Sequence, residues 1–406
     1  MLSYEDARLK VIEVTAGLRR ISAREKLKLQ NSAGRILAQE IVADRDYPPF
    51  DRATRDGFAV RATDCREAGA KLRVIGEIRA GGEFAKGVSA GECVQIMTGA
   101  AVPQGADAVV MIEHTRTGAR ENEVTIERAA ESGMNIVPRG SESRAGDVLL
   151  RAKTRVGYAE IAIAAQAGAA ELDVYRKPRV AILSTGDEVV AVEAQPGPFE
   201  IRNSNGVSLA AQVELAGAEA VLLGNAPDRA DELREMIERG LQEDALVLSG
   251  GVSMGKYDLV EEVLRGLGAE FFFDALAIRP GRPAVFGICR GKPVFGLPGN
   301  PVSTMVTFEL LAVPAVDILS GSEARPVPLL KAKLSRGVEQ KAALTHFLPA
   351  VLDWASGEAT VSELPWQGSG DMAALARGNC FLVLHRSKLK LAAGEWVDVL
   401  PRRGLL

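Results

Sequence analysis

Histidine and cysteine are the scarcest chemistry-bearing residues of this chain. Its 406 residues include only His114, His346 and His385, and only Cys65, Cys93, Cys289 and Cys380. The cysteines lie far apart, form no CxxC pair and match no zinc spacing. This composition argues against a histidine-rich metal centre and against a Cys–His nucleophile. Any metal is expected to be a hard cation on oxygen ligands, which favours magnesium. Missing too are a GxxxxGK[ST] phosphate loop, a GxGxxG turn after a first strand and a GxSxG elbow, so the common nucleotide-binding and hydrolase readings fail. Excess charge of one sign is absent. A net charge of −4 and a pI near 5.7 point to neither a nucleic-acid nor a membrane partner. No apolar run is expected to approach the roughly 18 residues of a membrane span. The opening MLSYEDARLK lacks a signal-peptide core, so a cytoplasmic location is expected.

What is present is an ordinary globular composition, 47% hydrophobic and 25% charged, in a length that suggests roughly two to four domains. Residues 3–16 form an expected amphipathic helix around Leu9, Val11, Ile12 and Val14, with Ser3 and Asp6 resembling a capping box. Residues 32–42 suggest a short helix or strand. Residues 48–58 begin with two prolines, crowd several charges together and reach the turn signal Asp56-Gly57, as a solvated loop or the lip of a site would. Short strands are expected at 71–78, 92–97, 108–114 and 123–127, with Thr98 in a loop between them. From residue 178 strands and helices alternate, with strands at 179–183, 219–223, 245–248 and 270–278 and a hairpin across Arg290-Gly291. Asn300 and Pro301 then open a helix reaching residue 319. That alternation implies a doubly wound α/β sheet, with ligands outside the carboxyl ends of its strands. Residues 326–406 alternate like the strands of a small barrel, with 338–345 and 369–378 as connections.

The chain is organised around 245–258, ALVLSGGVSMGKYD. A buried strand runs into Ser249-Gly250-Gly251, where backbone N–H groups can approach an oxyanion. Ser253, Gly255, Lys256 and Asp258 follow. A tight turn with no ligand explains the glycines alone equally well. Three further Gly-containing loops are expected to follow strands and gather at one edge: 184–188, 279–283 and 296–301.

Six stretches carry a resemblance: 48–60 (PPFDRATRDGFAV), 96–111 (IMTGAAVPQGADAVVM), 183–188 (LSTGDE), 249–258 (SGGVSMGKYD), 278–283 (IRPGRP) and 296–303 (GLPGNPVS). In this order and spacing the chain resembles the molybdopterin molybdenumtransferase family, to which the C-terminal domain of gephyrin is related. The resemblance implies four domains: 1–45 with 141–176, an inserted β-rich unit at 46–140, a molybdopterin-binding α/β domain at 177–325 and a β-barrel at 326–406. It implies a homodimer whose active site is shared between subunits. The substrates would be adenylated molybdopterin and molybdate, with Mg2+ and release of AMP. Asp56, Thr98, Asp187, Glu188, Asp228 and Asp258 would serve catalysis, with Asp187, Asp228 and Asp258 as metal ligands. Ser184, Thr185, Gly186, Ser249, Gly250, Gly251, Ser253, Gly255, Arg279, Gly299 and Asn300 would hold the pterin nucleotide. Arg282, Pro283, Ser303 and Ser369 would hold molybdate. A plain helix cap also accounts for Asp228, and for Asp258. Molybdopterin adenylyltransferase and apo-molybdoenzymes are the protein partners that the resemblance suggests.

Two departures bear on the expectation. Arg52-Ala53-Thr54-Arg55 stands where the family commonly has Asn-Ser-Ala-Met, and 344–349 (LTHFLP) lacks an arginine that the family's barrel usually supplies. The second departure favours an alternative, a carrier that binds molybdopterin or the finished cofactor without turnover. A tungstate-inserting paralogue and a gephyrin-like scaffold are further readings.

Overall fold

The computed structural model describes residues 1–18, 23–251, 259–340, 343–355 and 357–405. At its centre six strands lie in the order Glu219–Ala226, Arg179–Thr185, Ala245–Ser249, Lys292–Leu297, Val285–Cys289 and Glu270–Phe273. The first four are parallel, and Val285–Cys289 runs antiparallel to both its neighbours. Side-chain alternation divides these strands between two cores. Val180, Ile182, Ala245 and Val247 face the helices Ser204–Ala216 and Pro301–Thr307. Ala181, Leu183, Leu246 and Leu248 face Ala230–Gly240 and Leu259–Gly266. Burial on both faces is why these strands are continuous apolar runs. The hairpin turns at Arg290 and Gly291, both at positive φ (49° and 74°), as a two-residue turn of this twist requires.

The N-terminal helix is Tyr4–Gly17, and Ser3 Oγ accepts the Asp6 N–H at 3.1 Å. Its buried face is Tyr4, Ala7 and Val11, packed on the α/β core, whereas Leu9 is 63% exposed. Of the expected stripe, Leu9 therefore falls outside the buried face, while Val11 lies in it and Val14 packs at its margin. The expectation that no apolar run reaches membrane-spanning length also fails. Helical residues Pro301–Leu319 are long and apolar enough by composition, with a mean hydropathy of 1.7, but 83% of that window is buried inside the protein. A helix apolar all round suits a core position. Its ladder widens to a π turn at Phe308–Ala312 and resumes at Val313–Leu319. Pro314 offers no N–H to the Leu310 carbonyl four residues back. Arg8 replaces it, donating from Nη1 to that carbonyl at 3.2 Å.

A second six-stranded sheet orders Ala108–Met111, Gly57–Val60, Glu92–Ile96, Ala70–Ile78, Glu123–Ile126 and Thr115–Thr117. The stretch read as a loop at 48–58 thus feeds a central strand, and Arg52–Ala53 pairs with Ile136–Val137. Within 32–42 only Ile41–Val42 is a strand, pairing with Val148–Leu150, while Arg24–Lys28 pairs with Glu171–Tyr175.

The C-terminal strands Thr345–Asp353, Thr360–Glu363, Leu330–Leu334, Trp396–Pro401 and Cys380–Leu384 form a closed barrel, because the first also pairs with the last. The expected connection at 369–378 contains a helix, Met372–Arg377, whose N-cap Asp371 accepts the Ala374 N–H at 3.0 Å. One expectation is corrected in a way that matters for the site. Strand Ile278–Arg279 pairs in parallel with the barrel strand, Ile278 to Thr345 and Arg279 to His346, not with the central sheet. The 279–283 loop therefore leaves from the barrel side.

Candidate functional site

The carboxyl ends of Arg179–Thr185, Glu219–Ala226, Ala245–Ser249 and Lys292–Leu297 lie side by side, and a polar network runs across them. Ser184 and Ser249 are register partners on adjacent strands. Ser184 Oγ donates to Asn203 Oδ1 at 2.9 Å. Asn205 Nδ2 donates to both Ser249 Oγ and the Gly299 carbonyl at 2.7 Å. Asn225 Nδ2 donates to the Gly186 carbonyl at 2.9 Å, anchoring the 186–188 turn. Asn203, Asn205 and Asn225 were not expected here. In sequence, Ser204-Asn205-Gly206 reads only as a helix start, and Asn203, just before it, caps Ser204–Ala216. Buried oxygens without partners among the described residues, Thr185 Oγ1, Asn205 Oδ1 and Asn225 Oδ1, remain along this edge as acceptors.

Gly250 and Gly251 have φ of +92° and +65°. A Cβ on Gly250 would lie 2.9 Å from the Thr185 carbonyl oxygen, and one on Gly251 would lie 2.6 Å from Val260 Cγ2. Both glycines are thus required by packing as well as by conformation. Ser253, Gly255 and Asp258, expected to continue this loop, lie outside the described residues.

On the acidic side, the Asp228 N–H donates to Asp187 Oδ1 at 3.1 Å, and both residues are exposed. Helix Ala230–Gly240 has Arg229, not Asp228, at its N-cap, so the capping explanation of Asp228 falls away. Glu188 folds back over Gly186, so that a Cβ on that glycine would lie 2.5 Å from Glu188 Oε2. Among the described residues no three His, Cys, Asp or Glu side chains converge as a metal cage. Asp187 and Asp228, tied at a sheet edge by that backbone bond, nevertheless offer oxygen ligands of the kind magnesium takes, with waters and substrate phosphates as its remaining ligands.

The 298–300 turn joins this edge to a cavity of ≈ 500 Å³ between the α/β domain and the barrel. A Cβ on Gly299 would lie 3.5 Å from Gly250 Cα, while Pro298 and Asn300 line the cavity. Arg279, Arg282, Pro283, Ser303 and Ser369 line it too, so residues expected at two ligands share one chamber. Asn300 is the N-cap, as expected, but its side chain makes no capping bond. The Val302 N–H donates to the Ser369 carbonyl at 3.0 Å, holding the barrel's 366–370 loop over the helix start. Among the described residues neither Arg279 nor Arg282 has a carboxylate within ion-pair distance. Trp366 and Leu344 complete the wall. Trp366 carried no sequence signal, being one of three tryptophans in a segment read only as strand and loop.

Asp56 and Thr98 find each other in the β-rich sheet, away from this cavity's lining. Asp56 Oδ1 accepts the Thr98 N–H at 2.6 Å and its hydroxyl at 2.7 Å. Those two bonds, the backbone one foremost, hold the Asp56 carboxyl below its ordinary range.

Residues 2–168 match the family described as "MoeA N-terminal region (domain I and II)", 181–317 the "Probable molybdopterin binding domain" and 331–401 the "MoeA C-terminal region (domain IV)". The chain is 34% identical over 379 residues to a Staphylococcus epidermidis protein named molybdopterin molybdenumtransferase, covering 92% of this chain and 90% of that one. A Staphylococcus aureus protein of the same name is 35% identical over 377 residues, with the same coverage. Two solved structures of a molybdopterin biosynthesis MoeA protein from Pyrococcus horikoshii are also similar. One has a TM-score of 0.76 at 32% identity, covering 99% of each chain. The other has a TM-score of 0.81 at 28% identity, covering 99% of this chain and all of that one.

Proposed function

Because the chain belongs to the molybdopterin molybdenumtransferase family, transferases of molybdenum cofactor biosynthesis, we propose that it inserts molybdate into adenylated molybdopterin with magnesium-dependent release of AMP. The observation that carries this reading is the junction at 298–300. It joins a hydroxyl- and amide-rich sheet edge to a cavity holding two arginines without carboxylate partners among the described residues.

The edge suits the pyrophosphate of the adenylate. Ser184, Thr185, Ser249 and the Gly250 turn offer hydroxyls and backbone near it, and Asn205 holds Ser249 and Gly299 in register. The cavity suits a tetrahedral dianion. Arg279 and Arg282 present planar forks, Ser303 and Ser369 supply hydroxyls, and the helix start adds partial positive charge. Asp187 and Asp228, with Asp258 from outside the described residues, are the carboxylates that would hold magnesium. A bound magnesium ion supplies charge neutralisation to the pyrophosphate as it is cleaved. We also read the protein as a homodimer in which the Asp56–Thr98 pair of one subunit completes the site of the other.

The test is AMP release from adenylated molybdopterin on adding molybdate and magnesium, with metal insertion followed in the same tube. Release that requires both additions is expected, and tungstate replaces molybdate in a parallel arm. A second reading, the carrier, draws on the apolar Leu344 in the barrel wall, where no arginine adds to the oxyanion's ligands. Tight pterin binding without AMP release would select it.

A further inference from the structure

His346 is 6% exposed, and its Nε2 is buried with no hydrogen-bond partner among the described residues. An unsatisfied buried polar atom costs free energy and calls for an explanation. Its position offers one. Leu344 lines the cavity. His346 lies two residues on, and the Thr345 N–H donates to the Ala277 carbonyl at 3.0 Å, keeping the chain extended there. Within the strand Thr345–Asp353, which begins one residue after Leu344, the side-chain period of two gives His346 one face of the strand. The same face continues through Leu348, Ala350 and Leu352, which belong to the barrel's own core. Leu384, the register partner of His346, belongs to that core as well. His346 does not itself line the cavity, but its register partner Arg279 does, so the imidazole stands next to the cavity at the end of the barrel's core.

The surroundings of this imidazole are simple. Arg279 is its partner on the adjoining strand. Cys380 is the one titratable residue of the paired strand Cys380–Leu384, and burial holds its thiol up to about 12. His385, just past that strand, is engaged by Asp398 at 2.7 Å. Burial, and then the Arg279 charge, keep the His346 imidazole neutral to a lower pH than usual. A dianion held by Arg279 reverses the second influence.

We propose that His346 is the charge-compensating residue of the oxyanion site, taking up one proton from solvent when a dianion occupies the cavity beside Arg279. The step balances as neutral imidazole, proton and dianion going to an imidazolium–dianion pair, with no bond broken in the anion. The inference rests on the oxyanion reading of the cavity given above and adds to it a proton linkage.

Calorimetric titration of the full chain with sodium molybdate tests it, run in two buffers of different ionisation enthalpy across the range where molybdate stays a dianion. For the wild type, proton uptake on binding and a dissociation constant that rises with pH, by up to about tenfold per unit, are expected. His346→Gln keeps a hydrogen-bonding side chain but cannot titrate. It should show no uptake and a dissociation constant flat in pH, while remaining folded by circular dichroism. His346→Leu should behave likewise if the proton matters and the donor does not. Uptake in the wild type that persists in both variants would overturn the inference, as would binding without uptake. Arg279→Ala separates the two levels. If it leaves molybdate affinity unchanged, or if the wild type binds no molybdate, the oxyanion reading itself fails and takes the inference with it. If Arg279→Ala weakens binding while His346→Gln changes nothing, only the inference fails.

Discussion

The Asp56 carboxylate shows what a single residue was able to announce and what it was not. Its charge-dense loop marked it, but not the partner 42 positions away whose N–H and hydroxyl both reach one oxygen. Thr98→Val should remove the hydroxyl bond and keep the backbone one. The Asp56 carboxyl should then move part of the way back up toward its ordinary range, a shift that carbon-13 NMR of the side chain reads directly. Asp56→Ala should lower turnover without changing the melting temperature if this pair completes a neighbouring subunit's site. An unchanged rate would count against that sharing. Gly251 teaches the opposite lesson. It was legible as a ligand-facing glycine, yet Val260 and Thr185 crowd it from the protein side. A bulky substitution there reports on packing before it reports on binding. Asn205 was hidden because a capping motif and a site residue share the same letters.

At the level of elements, the sequence pattern located the strands of the central sheet, which are short apolar runs between turn residues, and four of the six in the β-rich sheet, missing Gly57–Val60 and Thr115–Thr117. The misses have local causes. The 48–58 stretch looked like a loop because its prolines precede the strand rather than interrupt it. The strand Ile278–Arg279 was credited to the central sheet because nothing local says which sheet a strand will join. Two residues decide that, and they decide where the cationic loop points. The long core helix depends on a partner that no local pattern reveals. Arg8 supplies the Leu310 carbonyl with the donor that Pro314 lacks. Arg8→Ala should destabilise the protein by about 1–3 kcal/mol. In the Pro314→Ala background, which restores an N–H to the helix, the same change should cost less. Urea denaturation of the four members of this cycle measures the difference.

Across the whole molecule, Asp317 ties distant segments together. Fully buried on the long core helix, it accepts Arg325 Nε at 2.9 Å, the Arg325 N–H at 3.0 Å and Arg155 Nη2 at 3.1 Å. Asp317→Ala would deprive Arg155 and Arg325 of their shared buried carboxylate and should cost about 3 kcal/mol, read from the shift of the denaturation midpoint. Stability should also depend on pH through His346. Its folded-state proton affinity is depressed, so just below the ordinary value of about 6.5 the unfolded chain binds more protons. Stability should therefore fall as pH drops through that window, and His346→Leu should remove this part of the fall. Such long-range ties are the least legible feature in the sequence. Arg155 and Asp317 are 162 positions apart, and each looks like an ordinary surface charge.

The crossing at Tyr47 and Ser143 has a consequence for how the chain can be cut and rejoined. The Tyr47 N–H donates to the Ser143 carbonyl at 2.8 Å, and Arg139 Nε reaches Asp46 Oδ2 at 2.8 Å, so the segments leading into and out of the β-rich sheet touch at its base. Everything between them is an excursion that returns to its starting point. A few glycines across that gap would span it, and the remainder would keep its own strand pairings, its helices and its barrel. The β-rich unit is thus expected to tolerate excision or exchange, an outcome read from the melting temperature of the glycine-bridged remainder.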